Sequence, residues 1–417
     1  RFSDWLSLRV LGSHWERRQN RYSSNLSGAN AGNYTLADGR LNGVRRTQLN
    51  RGHEFQDNAQ IDLLAAFKTG PVDHRLLVTG DYYTTDTAGI ARTSSRADDS
   101  VDLNTAFVTG KWASDTFPAR FEIGNYDVWD ILSGNTKGGR TTKGMMVSER
   151  ATMLDGRLML SIGGRHDETQ AGSIDYRSNR TIRGQAVPAG ELFKDLVIKA
   201  DTFNTGATYK ITPELSIYGS YAESFNTSST TQVDINNDIV PNIEGDGIEI
   251  GFKGGFWSDR LTFTLGYFDI MKKNVPRSAL DELGNPLFIP GTTIRYNVLN
   301  DIKSEGYELD LNWRVNDSLS FHGGIGYNDA RYASVPNPTE AYLLNVRPEG
   351  TSKWVGGLNT EYAFRAGRLS GLGLRLGLRY VGEFVQTTRG VSSVYANSGV
   401  KGGTITVGGQ QFDTYYF

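Results

Sequence analysis

The stretch IEGDGIEIGFKGGFWSDRLTFTLGY (Ile243–Tyr267) contains two alternating runs joined by a tight connection. Before the connection, Ile248, Ile250 and Phe252 alternate with Glu249, Gly251 and Lys253. After it, Leu261, Phe263, Leu265 and Tyr267 alternate with Thr262, Thr264 and Gly266. A period of two puts the apolar residues on one side of a strand and the polar ones on the other. WSDRL (Trp257–Leu261) is short enough to turn one strand directly into an antiparallel neighbour. The same unit recurs outward in both directions. LDGRL (Leu154–Leu158), ITPELS (Ile211–Ser216) and VNDSL (Val315–Leu319) are further tight turns. Leu158, Leu160 and Ile162 alternate with Met159 and Ser161; Leu309, Leu311 and Trp313 with Asp310, Asn312 and Arg314; Leu372, Leu374, Leu376, Leu378 and Tyr380 with Gly373, Arg375, Gly377 and Arg379.

Between the tight turns lie long polar stretches: 167–196, 226–245, 272–293 and 333–350. A soluble sandwich has no reason to keep its tight turns at one end, whereas an outer-membrane barrel has short periplasmic turns and long extracellular loops. About thirteen strands are expected, at 4–18, 43–66, 74–84, 142–154, 157–168, 198–210, 214–225, 245–257, 260–272, 294–314, 318–332, 350–366 and 371–384. Many reach the roughly 9–11 residues that a tilted membrane strand needs. Tyr and Phe near strand ends, such as Tyr218, Tyr221, Phe225, Tyr327 and Phe384, fit interfacial girdles. The weakly patterned stretch 86–140 reads as one large loop, or a loop with a hairpin around Val101–Lys111 and Arg120–Tyr126.

Composition narrows the function. The chain has 417 residues, no cysteine and a formal net charge of −2 with both signs interspersed. That excludes a disulfide framework or thiolate metal site and argues against a nucleic-acid binder, which carries a basic face. Mean hydropathy is −0.42, compatible with a barrel because only alternate residues meet lipid. No run approaches the roughly 18 apolar residues of a membrane helix.

No nucleophile elbow, zincin pair or phosphate loop is present, so the chain reads as not an enzyme. The five histidines, His14, His53, His74, His166 and His322, lack ligand spacing. His53-Glu54 and Arg165-His166-Asp167-Glu168 read as solvated or lumen-facing polar residues rather than a metal site. No cofactor or bound metal is expected.

Seven segments carry a resemblance. YGSYAESF (Tyr218–Phe225), Ile243–Leu261, TFTLGYFDIMKKNV (Thr262–Val275), KSEGYELD (Lys303–Asp310), LSFHGGIGYNDARY (Leu319–Tyr332), Asn345–Tyr362 and GLRLGLRYVG (Gly373–Gly382) stand in one order and spacing. Together with LMLSIGGRHD (Leu158–Asp167), this series resembles the barrel of TonB-dependent siderophore receptors. Residues 1–157 match more weakly, mainly through HRLLVTGDYY (His74–Tyr83).

The resemblance implies an all-β fold, a transmembrane antiparallel β-barrel, with residues 1–417 as part of a 22-stranded domain. A plug domain, an energy-coupling box and about six strands would precede Arg1, and about two strands would follow Phe417. The sheet is then expected to be open, with edges near residues 4–18 and 371–384. Against this, Tyr415-x-Phe417 is similar to the aromatic terminus of outer-membrane barrels; Gly409, Gln411 and Asp413 suit a lipid-facing closing strand poorly.

The implied function is active uptake of a ferric siderophore across the outer membrane of a Gram-negative bacterium. Iron would enter only within the siderophore complex. The implied partners are the chelate, the TonB complex of the inner membrane and outer-membrane lipid, with the receptor monomeric. Another cargo (cobalamin, oligosaccharide) or a passive porin is the alternative. Tyr126, Trp129 and Arg140, in the longest loop, are the candidate cargo contacts, since aromatic and cationic groups hold anionic or catecholate chelates.

Overall fold

The computed structural model describes residues 3–26, 36–37, 40–93, 98–102, 131–182, 185–227, 232–281, 286–384, 404–407 and 410–413. Thirteen strands form one sheet in chain order. They are β1 (Leu6–Leu26), β2 (Arg40–Thr69), β3 (Val72–Thr93), β4 (Ile131–Met153), β5 (Leu158–Asp175), β6 (Leu192–Lys210) and β7 (Leu215–Asn226). There follow β8 (Ile243–Phe256), β9 (Leu261–Ser278), β10 (Asn297–Arg314), β11 (Leu319–Ser334), β12 (Trp354–Ala363) and β13 (Gly373–Val381). These correspond one for one with the expected strands. Every neighbouring pair is antiparallel, and among the described residues β1 and β13 are not paired with each other. Among the described residues the sheet is of barrel type and ends at β1 and β13. Two short strands, Leu36–Ala37 and Asp98–Asp102, pair onto β2.

Strict antiparallel order sends alternate connections to opposite ends. One end holds 70–71, 154–157, 211–214, 257–260, 315–318 and 364–372; at the other end β1 and β2, β3 and β4, β5 and β6, β7 and β8, β9 and β10, and β11 and β12 are joined by longer connections. Local chemistry closes the short turns. Leu154, Asp155 and Gly156 have φ of 56°, 52° and 82°, and Trp257, Ser258 and Asp259 have φ of 55°, 57° and 60°, so both turns run through left-handed backbone. In 211–214 the Thr212 hydroxyl accepts from the Glu214 and Leu215 amides at 3.2 and 3.0 Å. In 315–318 Asn316 Oδ1 accepts from the Ser318 and Leu319 amides at 2.8 and 2.9 Å. Side-chain acceptors of this kind stand in for the next ladder bond and reverse the chain.

Cross-strand partners share a face, so the register sorts every side chain. Leu378, Leu358, Gly323, Leu311, Phe263, Gly254 and Leu215 form one row. Leu8, Leu63, Val78, Val147, Gly164 and Phe203 lie on the same face at the other end of the sheet. Arg375 lies on the opposite face, 3.3 Å from Glu361, and Arg379 pairs with Gly357 there. The register irregularities between the thirteen strands, at Ala91/Arg92, Lys194/Val197, Lys272/Val275 and Asp301/Ile302, all fall toward the long-loop end. Face parity is therefore unbroken through the apolar band.

That band is the outer face. Leu376 and Leu378 are 72% and 67% exposed, a display that only lipid makes favourable. Two aromatic levels bound it on β8–β12. Phe256–Phe263 and Trp313–Phe321 lie near the short turns, with ring centroids 6.1 and 6.0 Å apart. Tyr267–Tyr307 and Tyr327–Trp354 lie above, at 5.2 and 4.9 Å. Trp313 and Tyr307 are six residues apart, about 20 Å along a strand. Past the upper level the outer face turns ionic: Lys303 meets Asp269 and Glu305 at 3.0 and 2.8 Å, and Arg331 meets Glu305 and Asp329 at 2.8 and 3.1 Å.

Buried apolar side chains gather at the long-loop end instead. Ile182, Val187 and Phe193 form a small cluster around the hairpin Arg180–Ile182/Gln185–Val187. Val233, Val240, Ala279 and Leu343 are each at most 3% exposed. The connections 227–242, 279–296 and 335–353 meet in a cap through hydrogen bonds, among them the Asn297 amide to the Val233 carbonyl at 2.8 Å. Its polar centre is Arg277, whose Nε donates to Glu340 at 2.9 Å and whose Nη1 donates to the Tyr332 hydroxyl at 3.1 Å. Asn337 Nδ2 donates to Glu340 and to the Leu280 carbonyl, both at 3.3 Å.

One expectation is corrected. The stretch 86–140 is not a single loop: β3 continues through Thr93 and β4 begins at Ile131, with Thr85 opposite Arg140 and Ile90 opposite Asn135. TTDTAGIART and ILSGNTKGGR carry little apolar alternation because these strands rise beyond the apolar band, where neither face needs to be hydrophobic. The expected hairpin at Val101–Lys111 and Arg120–Tyr126 lies outside the described residues, apart from Val101 and Asp102 in the short strand on β2.

Candidate functional site

The inner face is mostly polar, with a few apolar side chains such as Leu11, Leu64 and Ile270, and is locked by short-range charge pairing in its lower half. Arg9 holds Asp62 through Nε at 2.7 Å, and Asp62 also accepts from Gln60 and from the Thr79 hydroxyl, both at 2.8 Å. On β3–β5 the Arg165 guanidinium donates to Asp81 at 2.7 and 3.0 Å and to Asp167 at 2.7 and 2.6 Å. It lies across Gly144, where any Cβ would overlap it. On β7–β9 Tyr218 spans Gly251 and Gly266, donates to Glu249, and carries Lys253 Nζ 4.2 Å above its ring. These groups satisfy one another and stiffen the wall.

Above this level, toward the long loops, the inner face opens into an aromatic and cationic patch. Trp15, Gln56, Thr85, Arg140 and Ala171 form a single register row across β1–β5. Trp15 is 44% exposed, with the Arg17 guanidinium 5.7 Å from its ring. Arg17 pairs with Glu54 at 3.1 Å, and the Tyr83 hydroxyl donates to Gln56 at 3.4 Å. Arg140 is exposed, and among the described residues its guanidinium forms no ion pair. The patch therefore offers a π face, a phenol and a free cation at one height, a set that suits a planar or anionic ligand.

Of the three sequence candidates, Arg140 stands on strand β4 and points inward, not in a loop. Tyr126 and Trp129 lie outside the described residues. Sequence reasoning missed Trp15, Arg17 and Tyr83. Their signal was a Trp, an Arg and a Tyr at inward parity on strands that outlast the apolar pattern. The cluster 165–168 separates by parity. Arg165 and Asp167 face inward, while His166 and Glu168 face outward, His166 2.7 Å from Asp201 and Glu168 2.6 Å from Lys199. Among the described residues no three His, Asp or Glu side chains converge as metal ligands. At the loop start, Asp175 accepts from the Arg177 amide at 2.8 Å and from Ser178, which holds its carboxyl below the usual carboxylate range.

Comparison with known proteins agrees with this fold. The metal-pseudopaline receptor CntO of Pseudomonas aeruginosa is 25% identical over 386 residues, 92% of this chain and 48% of that receptor. The ferrichrome outer membrane transporter and phage receptor of Escherichia coli is 25% identical over 336 residues, 79% of this chain and 39% of that protein. In fold, the chain matches Pseudomonas aeruginosa FpvA, solved with a heterologous pyoverdine, at a TM-score of 0.70 and 17% identity, covering 100% of this chain and 47% of FpvA. The chain thus spans about half the length of the receptors it matches. The family model for the TonB-dependent receptor-like β-barrel matches residues 1–411, and the chain belongs to that family of outer-membrane receptors.

Proposed function

We propose that this barrel is the wall of a receptor for active uptake of a ferric siderophore, energised through TonB. The single observation that carries the reading is the inward patch of Trp15, Arg17, Tyr83 and Arg140 at the long-loop end. Iron chelates of this class present catecholate, hydroxamate or carboxylate oxygens, which a guanidinium binds through charge-assisted hydrogen bonds. An indole adds stacking and cation–π attraction. The relatives named for a metal-pseudopaline and for ferrichrome support the cargo class.

In the complete receptor, Arg140→Ala and Trp15→Ala should each weaken chelate binding by roughly tenfold, the loss of one such contact. Binding is read by quenching of intrinsic fluorescence on addition of ferric chelates, and assembly by heat-modifiable gel mobility. Shortening the segment 103–130, which contains Tyr126 and Trp129, should also weaken binding without impairing assembly, because connections between strands tolerate change. Unchanged affinity for every chelate in a broad panel, with both variants assembled, rejects the siderophore reading. Steady ion conductance of the complete protein without energy coupling favours a passive porin.

A further inference from the structure

Above the row of Trp15 and Arg140 the inner wall thins. The next two inward rows are Arg17–Glu54–Thr87–Gly138–Ser173 and Gln19–Gly52–Gly89–Thr136–Asp175. On β3 and β4 both rows hold only glycine and threonine. A Cβ added at Gly52 or at Gly89 would meet no atom closer than 3.9 or 3.7 Å, so nothing crowds the wall there. Arginines border this recess. Arg17 lies on its β1 side, and Arg21 stands two rows higher on the same strand, opposite Asn50. Arg140 lies one row below it on β4. From the connection after β5, Arg180 reaches back to Ser173 and donates to its hydroxyl at 2.9 Å and its carbonyl at 3.1 Å. Arg17 and Arg180 thus flank the recess across four strand spacings, about 19 Å.

The charges around it do not cancel. From the Trp15 row up to the Arg21 row, the inward carboxylates on these strands are Glu54 and Asp175. Glu54 pairs with Arg17 at 3.1 Å. Asp175 accepts from the Arg177 and Ser178 amides at 2.8 and 3.3 Å. Arg21 and Arg140 are exposed and, among the described residues, in no ion pair. The partners of Arg180 are neutral oxygens. The described part of the connection 176–191 adds one further arginine, Arg177, and one carboxylate, Glu191. Asp81 and Asp167, the next inward carboxylates below, share Arg165. They lie four residues down from Thr85 and Ala171, about 13 Å along the strand and beyond the screening length of physiological salt.

We propose, resting on the siderophore-uptake reading above, that this recess selects a polyanionic ferric chelate over a neutral one. Guanidinium stays charged at every pH that a receptor meets, so the cationic excess is fixed. Ferric iron held by three catecholates, or by three α-hydroxycarboxylates, carries a triple negative charge; held by three hydroxamates it is neutral. The anionic complex exchanges its water for charge-assisted hydrogen bonds from Arg21, Arg140 and Arg180. The neutral complex leaves those cations without a counter-charge. Threonine and glycine on β3 and β4 let a bulky chelate approach the wall, and Trp15 offers its π face at the lower edge.

The test uses the complete receptor and ferric complexes of one tripodal scaffold carrying catecholate, α-hydroxycarboxylate or hydroxamate arms, which differ in charge at closely similar size. Binding is read by quenching of intrinsic fluorescence. At least one of the two anionic complexes should bind about a hundredfold tighter than the hydroxamate, the worth of two charge-assisted contacts; the tighter of the two names the donor class. Raising salt should erode the anion's affinity and leave the hydroxamate's unchanged. Arg21→Gln combined with Arg140→Gln should bring the complexes close to parity by weakening the anion alone. Both side chains are exposed and outside ion pairs, so assembly, read by heat-modifiable gel mobility, should persist. Ranking the natural ferric chelates of the broad panel by net charge applies the same comparison to cargo that the tripods do not mimic. Hydroxamate binding as tight as that of the better anion overturns the charge selection and leaves the uptake reading standing. A preference that survives the double variant and high salt overturns it as well. Binding of no chelate at all rejects the uptake reading and the selection together.

Discussion

The membrane band is built from the strands and the loop cap from their long connections, with opposite polarity. In the band, leucines such as Leu374, Leu376 and Leu378 stand exposed on the outside while arginine and glutamate line the inside. In the cap, Val233, Val240, Ala279 and Leu343 are hidden and the charges are outside, apart from Arg277 and Glu340. The solvent causes the inversion. Lipid requires every backbone group to be paired and rewards apolar display; water rewards apolar burial. Stability in the band therefore resides in the ladder and its lipid contact, and stability in the cap in buried side chains and the hydrogen bonds around Arg277.

The contrast can be broken most strongly at the cap. Arg277 and Glu340 are 8% and 3% exposed, and removing one partner of such a pair leaves an uncompensated buried charge. Arg277→Ala should cost about 3–5 kcal/mol of local stability, read as lost hydrogen-exchange protection at Ala279, Asn297 and Tyr332, with the band unaffected. The double change Arg277→Met with Glu340→Leu should recover most of the loss. Uniform deprotection of the whole sheet instead would show that cap and band are one cooperative unit.

In the band, Leu265→Arg places a cation between the aromatic levels on the outer face and should cost roughly 2–4 kcal/mol of folding into lipid. Asn359→Arg, at inward parity on β12, should be far cheaper. Urea titration of the complete receptor folding into vesicles compares the two directly; equal penalties would refute the face assignment.

Smaller effects belong to the turns. Asn316→Ala removes the one side-chain acceptor of two amide hydrogen bonds from a short turn and should cost about 1 kcal/mol, measured in the same titration. At the opposite end, Asp175 is held below its ordinary pKa by the Arg177 and Ser178 amides. The ordering it provides is complete above the unfolded carboxyl pKa and is lost as pH falls through the lower folded value. Exchange of the Arg177 and Ser178 amides, corrected for intrinsic rate, should accelerate only in that acid range, and Asp175→Asn should flatten the profile.

Fold class and strand count were legible because the apolar face must repeat every second residue wherever lipid is the solvent. Ile248–Phe252 and Leu372–Tyr380 carry that signal without help from their neighbours. The short turns were legible for a related reason: Asp-Gly, Asn-Asp and Ser-Asp-Arg favour reversals through their own side chains and backbone. The pattern failed at Asp86–Thr93 and Ile131–Arg140, where β3 and β4 rise into water on both faces and no periodicity is imposed.

The candidate sites belong to the tertiary structure. Trp15, Gln56 and Arg140 become neighbours only through the register of four strands, and register is a property of pairing that no single segment encodes. Arg21 and Arg140 stand far apart in the chain. In sequence each is one polar residue among many on a weakly patterned stretch. The pairing alone turns both of them to the inner side and sets them around one recess. Local sequence thus set which residues alternate and where the chain reverses, because those depend on near neighbours. Which alternating residues meet, and on which side of the wall, was decided by long-range hydrogen bonding between strands.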